Sequence, residues 1–149
     1  MAHFPKINID TEKKRNLCFG CGPNNPIGLK LDFRWDGKTA TAEFTPNEYY
    51  QGWPGIVHGG ILACLLDEAL GWASLFSGLN SVNARMEVRI KTPVKVGERL
   101  TIIGSILEDK KRLAKAKAEV LLNDGTIAAE AQATLYIISR TQAHKKDKG

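Results

Sequence analysis

Gly59-Gly60-Ile61-Leu62-Ala63-Cys64-Leu65-Leu66-Asp67-Glu68-Ala69-Leu70-Gly71-Trp72-Ala73-Ser74-Leu75-Phe76-Ser77 is the stretch that decides the fold of this 149-residue chain. Its apolar side chains occupy every face of a helical wheel, the pattern of a helix buried on all sides. Asp67 and Glu68 at its middle, together with three glycines, make it a poor bilayer span. No other segment reads as a helix of this length, so the cover for this one has to come from strands.

Those strands are written on both sides of it. Upstream, Leu29, Leu31, Phe33 and Trp35 alternate with Lys30, Asp32, Arg34 and Asp36. Asp36-Gly37 supplies turn chemistry, and Ala40, Ala42 and Phe44 then alternate with Thr39, Thr41 and Glu43, which predicts a hairpin with one buried face. Downstream, Val82, Ala84, Met86, Val88 and Ile90 are expected to face away from Asn83, Arg85, Glu87, Arg89 and Lys91, until Pro93 and Val96-Gly97-Glu98 end the strand. Residues 99–108, 113–122 and 126–138 add three more, joined by Glu108-Asp109-Lys110-Lys111 and Asn123-Asp124-Gly125. Six strands with hairpin-length links predict an antiparallel sheet curled around one helix, an α+β fold. Residues 1–17 read as an N-terminal extension, 18–139 as a single domain and 140–149 as a flexible basic tail.

The net charge of +5 raises the question of nucleic acid, and its placement answers it. Residues 18–139 hold 13 Lys plus Arg against 13 Asp plus Glu; the excess sits in residues 1–17 and 140–149. A DNA-binding domain carries its basic face on the folded part, so neither nucleic acid nor membrane is an expected partner. Three cysteines, Cys18, Cys21 and Cys64, are too few to staple a secreted fold. With no secretory signal pattern, a reducing cytoplasm is the expected location.

Chemistry concentrates at His58-Gly59-Gly60. Two glycines in a first helical turn cost about 1 kcal/mol each against alanine, and no Ser, Thr, Asp or Asn stands at the N-cap position. Either the turn packs tightly against a sheet, or the bare backbone is left open to a ligand whose carbonyl oxygen the first-turn N–H groups polarise. Asp67 and Glu68 point about 100° apart on a helix. One can enter a pocket as a general base, and the other needs a basic partner or an exposed stripe. Gly59 and Asp67 are eight residues, about 12 Å, apart along the axis, so they meet one reacting centre only if two helices lie antiparallel across a two-fold axis. A catalytic reading therefore demands a dimer.

The run His58-Gly59-Gly60 with Asp67 nine positions after the histidine, on the one long helix between strands two and three, resembles the hotdog-fold acyl-CoA thioesterases, the phenylacetate-pathway type in particular. Cys18-Phe-Gly-Cys-Gly-Pro-Asn-Asn-Pro-Ile-Gly-Leu29 is similar to the opening of many of them, and the resemblance spans residues 18–138. It implies a hotdog fold and hydrolysis of an acyl-CoA in a homodimer or homotetramer, with coenzyme A as part of the substrate and no cofactor or metal. By the resemblance Asp67 acts as general base or nucleophile, and the Gly59 N–H polarises the thioester carbonyl from the opposing subunit. Gly60 lies beside that site, and His58 orients the loop or takes part in the chemistry. Asn83 stands where relatives carry a Ser or Thr that positions water; an amide bonds water but does not copy a hydroxyl. Gln51 is the neighbour of the position where some relatives carry an Asn or Gln.

The remaining features have two readings each. Trp53, Trp72 and Phe76 line an acyl tunnel or are plain core. Arg85 and Lys91, with Arg89, form a solvated face or bind the phosphates of coenzyme A, as Lys110, Lys111 and Arg112 also could. Cys18-x-x-Cys21 is expected to be a turn with free thiols: a zinc site takes four ligands, and only Cys64, His3, His58 and His144 remain to complete it. An acyl-CoA-binding sensor without catalysis is the alternative function, and a hotdog hydratase or dehydratase ranks behind both.

Overall fold

The computed structural model describes residues 8–141; His3, His144, the start of the extension and most of the basic tail lie outside the described residues. Strands β1 (Arg34–Trp35) and β2 (Thr39–Phe44) precede helix α1 (Gly59–Phe76), and β3 (Leu79–Ile90), β4 (Leu100–Asp109), β5 (Leu113–Leu121) and β6 (Ile127–Arg140) follow it. All six strands form one antiparallel sheet in the order β1-β2-β4-β5-β6-β3. It curls around α1, the one long helix among the described residues, in the hotdog arrangement.

Burial holds helix and sheet together. Leu62, Leu65, Leu66 and Leu70 are 1% exposed or less, and burying each is worth about 1.5–3 kcal/mol. The helix's apolarity is thus used inside the protein. The sheet meets it with a row of small residues: Ala40, Gly104, Ala118 and Ala131 pair in sequence across β2, β4, β5 and β6. The opposite face of β5 carries Lys115 and Lys117, both exposed, so the sheet has one packed and one wet face.

Three expectations need correction. Leu29, Leu31 and Phe33 are buried in alternation as read, but they form no ladder. Leu29 and Leu31 donate their N–H groups to the carbonyls of Phe19 and Gly20, and Lys30 adopts φ 54°; only Arg34–Trp35 pairs as a strand. The helix is not covered on every side: Gly60, Asp67 and Gly71 form an exposed stripe along it. The third correction concerns phase in β3. Asn83 pairs with Leu135 and Arg85 with Thr134, so Ala84 is bulged out of the ladder. A one-residue bulge exchanges faces, which puts Asn83 on the same side as Met86 rather than opposite it.

Candidate active site

The loop before α1 is built by backbone bonds. His58 N–H donates to the Tyr50 carbonyl and Val57 N–H to that of Val94, both at 2.8 Å. Gln51 Oε1 accepts from the Gly55 N–H at 2.8 Å, where the positive φ of 82° suits glycine. Gln51 therefore braces the loop. That loop carries Trp53 at 82% exposure, outside the core of the chain. Phe76 is buried and stacks on Trp35 at 5.3 Å, with Trp72 tilted against it at 5.2 Å. Phe76 is core, and Trp72 packs half-buried against it.

The helix start does have a cap, and it is His58. Its Nδ1 accepts from the Gly60 N–H at 2.8 Å, doing what a Ser or Asp does at that position. Gly60 N–H is consequently engaged, whereas Gly59 N–H has no hydrogen-bond partner among the described residues. A Cβ on Gly59 would lie 3.2 Å from Ile90 Cδ1, so the glycine keeps this amide close to the end of β3. Of the first-turn donors singled out by sequence, Gly59 is the one left to receive a developing oxyanion.

Asp67 lies exposed at the middle of the helix, and Asn83 Nδ2 donates to its Oδ1 at 2.9 Å while also touching Met86 Sδ at 3.4 Å. The β3 bulge makes this contact possible. The amide fixes one carboxylate oxygen and leaves the other for water or substrate. Asp67, Asn83 and Gly60 all sit on the helix's open stripe or beside the unpaired edge of β3. The structure joins Asp67 to Asn83 and His58 to Gly60, but it leaves Arg85 and Lys91 apart from both. Arg85 is exposed on β3, and Lys91 Nζ pairs with Glu130 Oε1 at 3.2 Å. A cleft of about 1050 Å³ between the extension and α1 is lined by Arg15, Cys21, Trp72 and Leu75. Neither Asp67 nor Gly59 lines it, so geometry rather than cavity size locates the site.

Glu68, the other mid-helix acid, has partners that the sequence did not reveal. Its carboxylate oxygens lie 3.9 Å from Cys18 Sγ, and Cys21 shares the cluster. Burial pushes the Glu68 carboxyl up, the Asp67 charge adds to that, and the Cys21 thiol and the Arg15 charge pull it back. Burial, followed by the Glu68 charge, pushes the Cys21 thiol up to about 12. Cys64 is likewise raised to about 12, chiefly by burial. Gly20 lets the loop come this close, since a Cβ there would lie 2.1 Å from Glu68 Cδ.

Residues 54–129 match the family described as the thioesterase superfamily. Among curated proteins the chain is similar to acyl-coenzyme A thioesterase THEM5 of Mus musculus, 32% identical over 76 residues that cover 50% of this chain and 31% of that protein; the match thus spans about a third of its relative's length. Among solved structures, a hypothetical thioesterase protein with coenzyme A from Streptococcus pneumoniae superposes with a TM-score of 0.71 at 17% identity, covering 75% of this chain and 88% of its own. The PaaI protein of E. coli, from the phenylacetic acid degradation operon, gives 0.71 at 22% identity, covering 76% and 83%. At these identities the two superpositions establish the shared fold.

Proposed function

The chain belongs to the thioesterase superfamily, and from that premise we propose that it hydrolyses an acyl-CoA thioester to the free acid and coenzyme A at a site completed by a second copy of itself. The observation that carries this reading is the pairing of an exposed, amide-held Asp67 with an unpartnered Gly59 N–H on the same helix. They are too far apart, about 12 Å along the axis, to serve one carbonyl. Two copies joined along the open β3 edge, helices antiparallel, bring the acid of each to the amide of the other.

In that site Asp67 takes a proton from water, and the water oxygen bonds to the thioester carbonyl carbon. The carbonyl oxygen gains charge beside the partner's Gly59 N–H. Collapse breaks the carbon–sulfur bond, and the thiolate leaves with the proton that Asp67 held. Asn83 keeps the carboxylate oriented throughout. His58 positions the amide by capping the helix and takes no proton in this scheme. The machinery asks for no metal or cofactor at Asp67. Coenzyme A as the carrier is supported by the Streptococcus pneumoniae relative, described with coenzyme A; the acyl groups to screen are aryl, short and medium chains.

The test is Asp67→Asn in an acyl-CoA panel read by thiol release. Turnover is expected to fall by about 10³-fold or more, as loss of an essential base does, with the circular dichroism spectrum retained. Unchanged turnover ends the assignment, and so does a protein that sediments as a lone protomer while fully active. Tight acyl-CoA binding with no thiol released from the wild type would instead identify a sensor.

A further inference from the structure

The cluster of Cys18, Cys21 and Glu68 takes no part in the chemistry above, and it is built too deliberately for a simple turn. Cys18 and Cys21 sit in a loop closed by the Gly22 N–H donating to the Cys18 carbonyl at 2.8 Å. That loop is tied onward by Leu29 N–H to Phe19 and Leu31 N–H to Gly20, at 2.8 and 2.9 Å. Its glycines are sterically required. A Cβ on Gly20 would lie within 2.5 Å of three Glu68 atoms, and one on Gly22 would meet Cys18 N at 2.4 Å. The loop backbone is thus pressed onto the Glu68 carboxylate, with both sulfurs within 4.8 Å of it.

The donor atoms of the three residues all lie within 4.8 Å of one another, and Cys18 Sγ stands 3.9 Å from each Glu68 oxygen. A tetrahedral zinc with bonds of about 2.3 Å to sulfur and about 2.0 Å to oxygen holds its S and O ligands roughly 3.5 Å apart and two sulfurs roughly 3.8 Å apart. The Cys18–Glu68 spacing is within a few tenths of an ångström of that of ligands around a shared centre, and Cys21 closes the group within 4.8 Å. Two thiolates with one carboxylate select a borderline-soft ion over magnesium or calcium. Their summed charge of −3 is reduced to −1 by a divalent ion, and the Arg15 guanidinium, seated 5.3 Å over the Trp72 ring, supplies positive charge from the adjoining segment.

We propose that Cys18, Cys21 and Glu68 bind one zinc ion, with water in the fourth position, as a clip fastening the loop before β1 to the central helix beside Asp67. The clip departs from the free-thiol turn expected from the sequence and does not depend on the thioesterase reading. It fixes the stretch that carries Leu29, Leu31 and Phe33, a stretch with no strand ladder of its own. Metal binding is then folding free energy for that stretch.

The full chain, reduced and stripped with chelator, is titrated with Zn²⁺ against a chromophoric competitor, and in parallel with Co²⁺, whose thiolate charge-transfer bands count sulfur ligands. The wild type is expected to take up one equivalent, to show those bands, and to gain thermal stability with Zn²⁺. Cys18→Ser and Cys21→Ser should each weaken binding by more than the about 10- to 100-fold that loss of an outer partner costs, and Glu68→Gln should weaken it while keeping the cobalt–sulfur bands. The wild-type cobalt spectrum needs no variant to fold. The proposal is overturned if the stripped wild type takes up no Zn²⁺, if the Cys18→Ser/Cys21→Ser double variant still binds one equivalent, or if the reduced protein reverts to a Cys18–Cys21 disulfide in the presence of Zn²⁺.

Discussion

Gly104→Ala is the substitution most directly calculable from this structure. Gly104 lies in the central strand β4, paired with Ala40 on one side and Ala118 on the other. A Cβ there would stand 2.4 Å from the Ala69 carbonyl oxygen and 2.7 Å from its carbon. Those are backbone atoms of α1, two residues beyond Asp67, and no rotamer change relieves them: the helix has to move or the sheet has to bow. Overpacking costs about 1–3 kcal/mol, and contact with rigid backbone places this case at the upper end. Removing a glycine from a strand returns about 0.5–1 kcal/mol. The net is roughly 2 kcal/mol. With an unfolding entropy of about 2.1 cal/mol/K per residue over the chain, it lowers Tm by about 6 °C. Differential scanning calorimetry reads this directly, and Gly125→Ser, at a turn with open space but φ 89°, serves as a comparison without a packing clash. A Gly104→Ala protein melting within about 1 °C of wild type would refute the claim that α1 rests on the sheet through this glycine.

Two further outcomes follow from named contacts. Asn83→Ala removes the amide that holds Asp67. A bond to a charged acceptor is worth about 1.5 kcal/mol or more, so kcat is expected to fall at least about tenfold while KM moves little; an unchanged kcat in steady-state hydrolysis would remove Asn83 from the site. Asp109 receives both Arg140 Nη1 and Nη2, at 3.0 and 2.7 Å, and these bonds hold its carboxyl below the ordinary carboxylate range. A group whose folded pKa is depressed stabilises the fold above its unfolded value and loses that contribution as pH falls through the folded one. Urea midpoints of wild type and Asp109→Asn should therefore differ by a constant amount above about pH 5, begin to converge as pH falls below about 4 and close below the lowered folded value; a gap that persists in strong acid would refute the linkage.

How much of this was legible in the sequence depends on how far each feature reaches along the chain. The helix and five of the six strands are local patterns of apolar spacing, readable from the sequence alone, although β3 buries only Leu79. The stretch from Leu29 to Phe33 kept its burial alternation and lost its ladder, since its N–H groups go to the loop at Phe19 and Gly20, a choice made by tertiary contact that periodicity does not encode. His58 escaped notice as a cap because an imidazole nitrogen does the work usually left to a hydroxyl or carboxylate. Glu68 found its partners fifty residues away in thiols, where a basic partner or an exposed stripe was expected for whichever acid stayed out of the pocket.

The site itself turns on the smallest of these departures. His58-Gly59-Gly60 and Asp67 are visible as a motif, whereas the contact between Asp67 and Asn83 is not, because strict alternation along β3 puts Asn83 opposite Met86. The bulge at Ala84 shifts the strand by one residue, and one residue is the whole difference between an amide facing solvent and an amide bonded to the candidate base. The polar contact to the helix, Asn83 Nδ2 to Asp67 Oδ1 at 2.9 Å, is made in the bulged register. The irregularity that defeats pattern reading is thus the feature that brings the Asn83 amide to the Asp67 carboxylate, and it lies on an edge strand of the sheet.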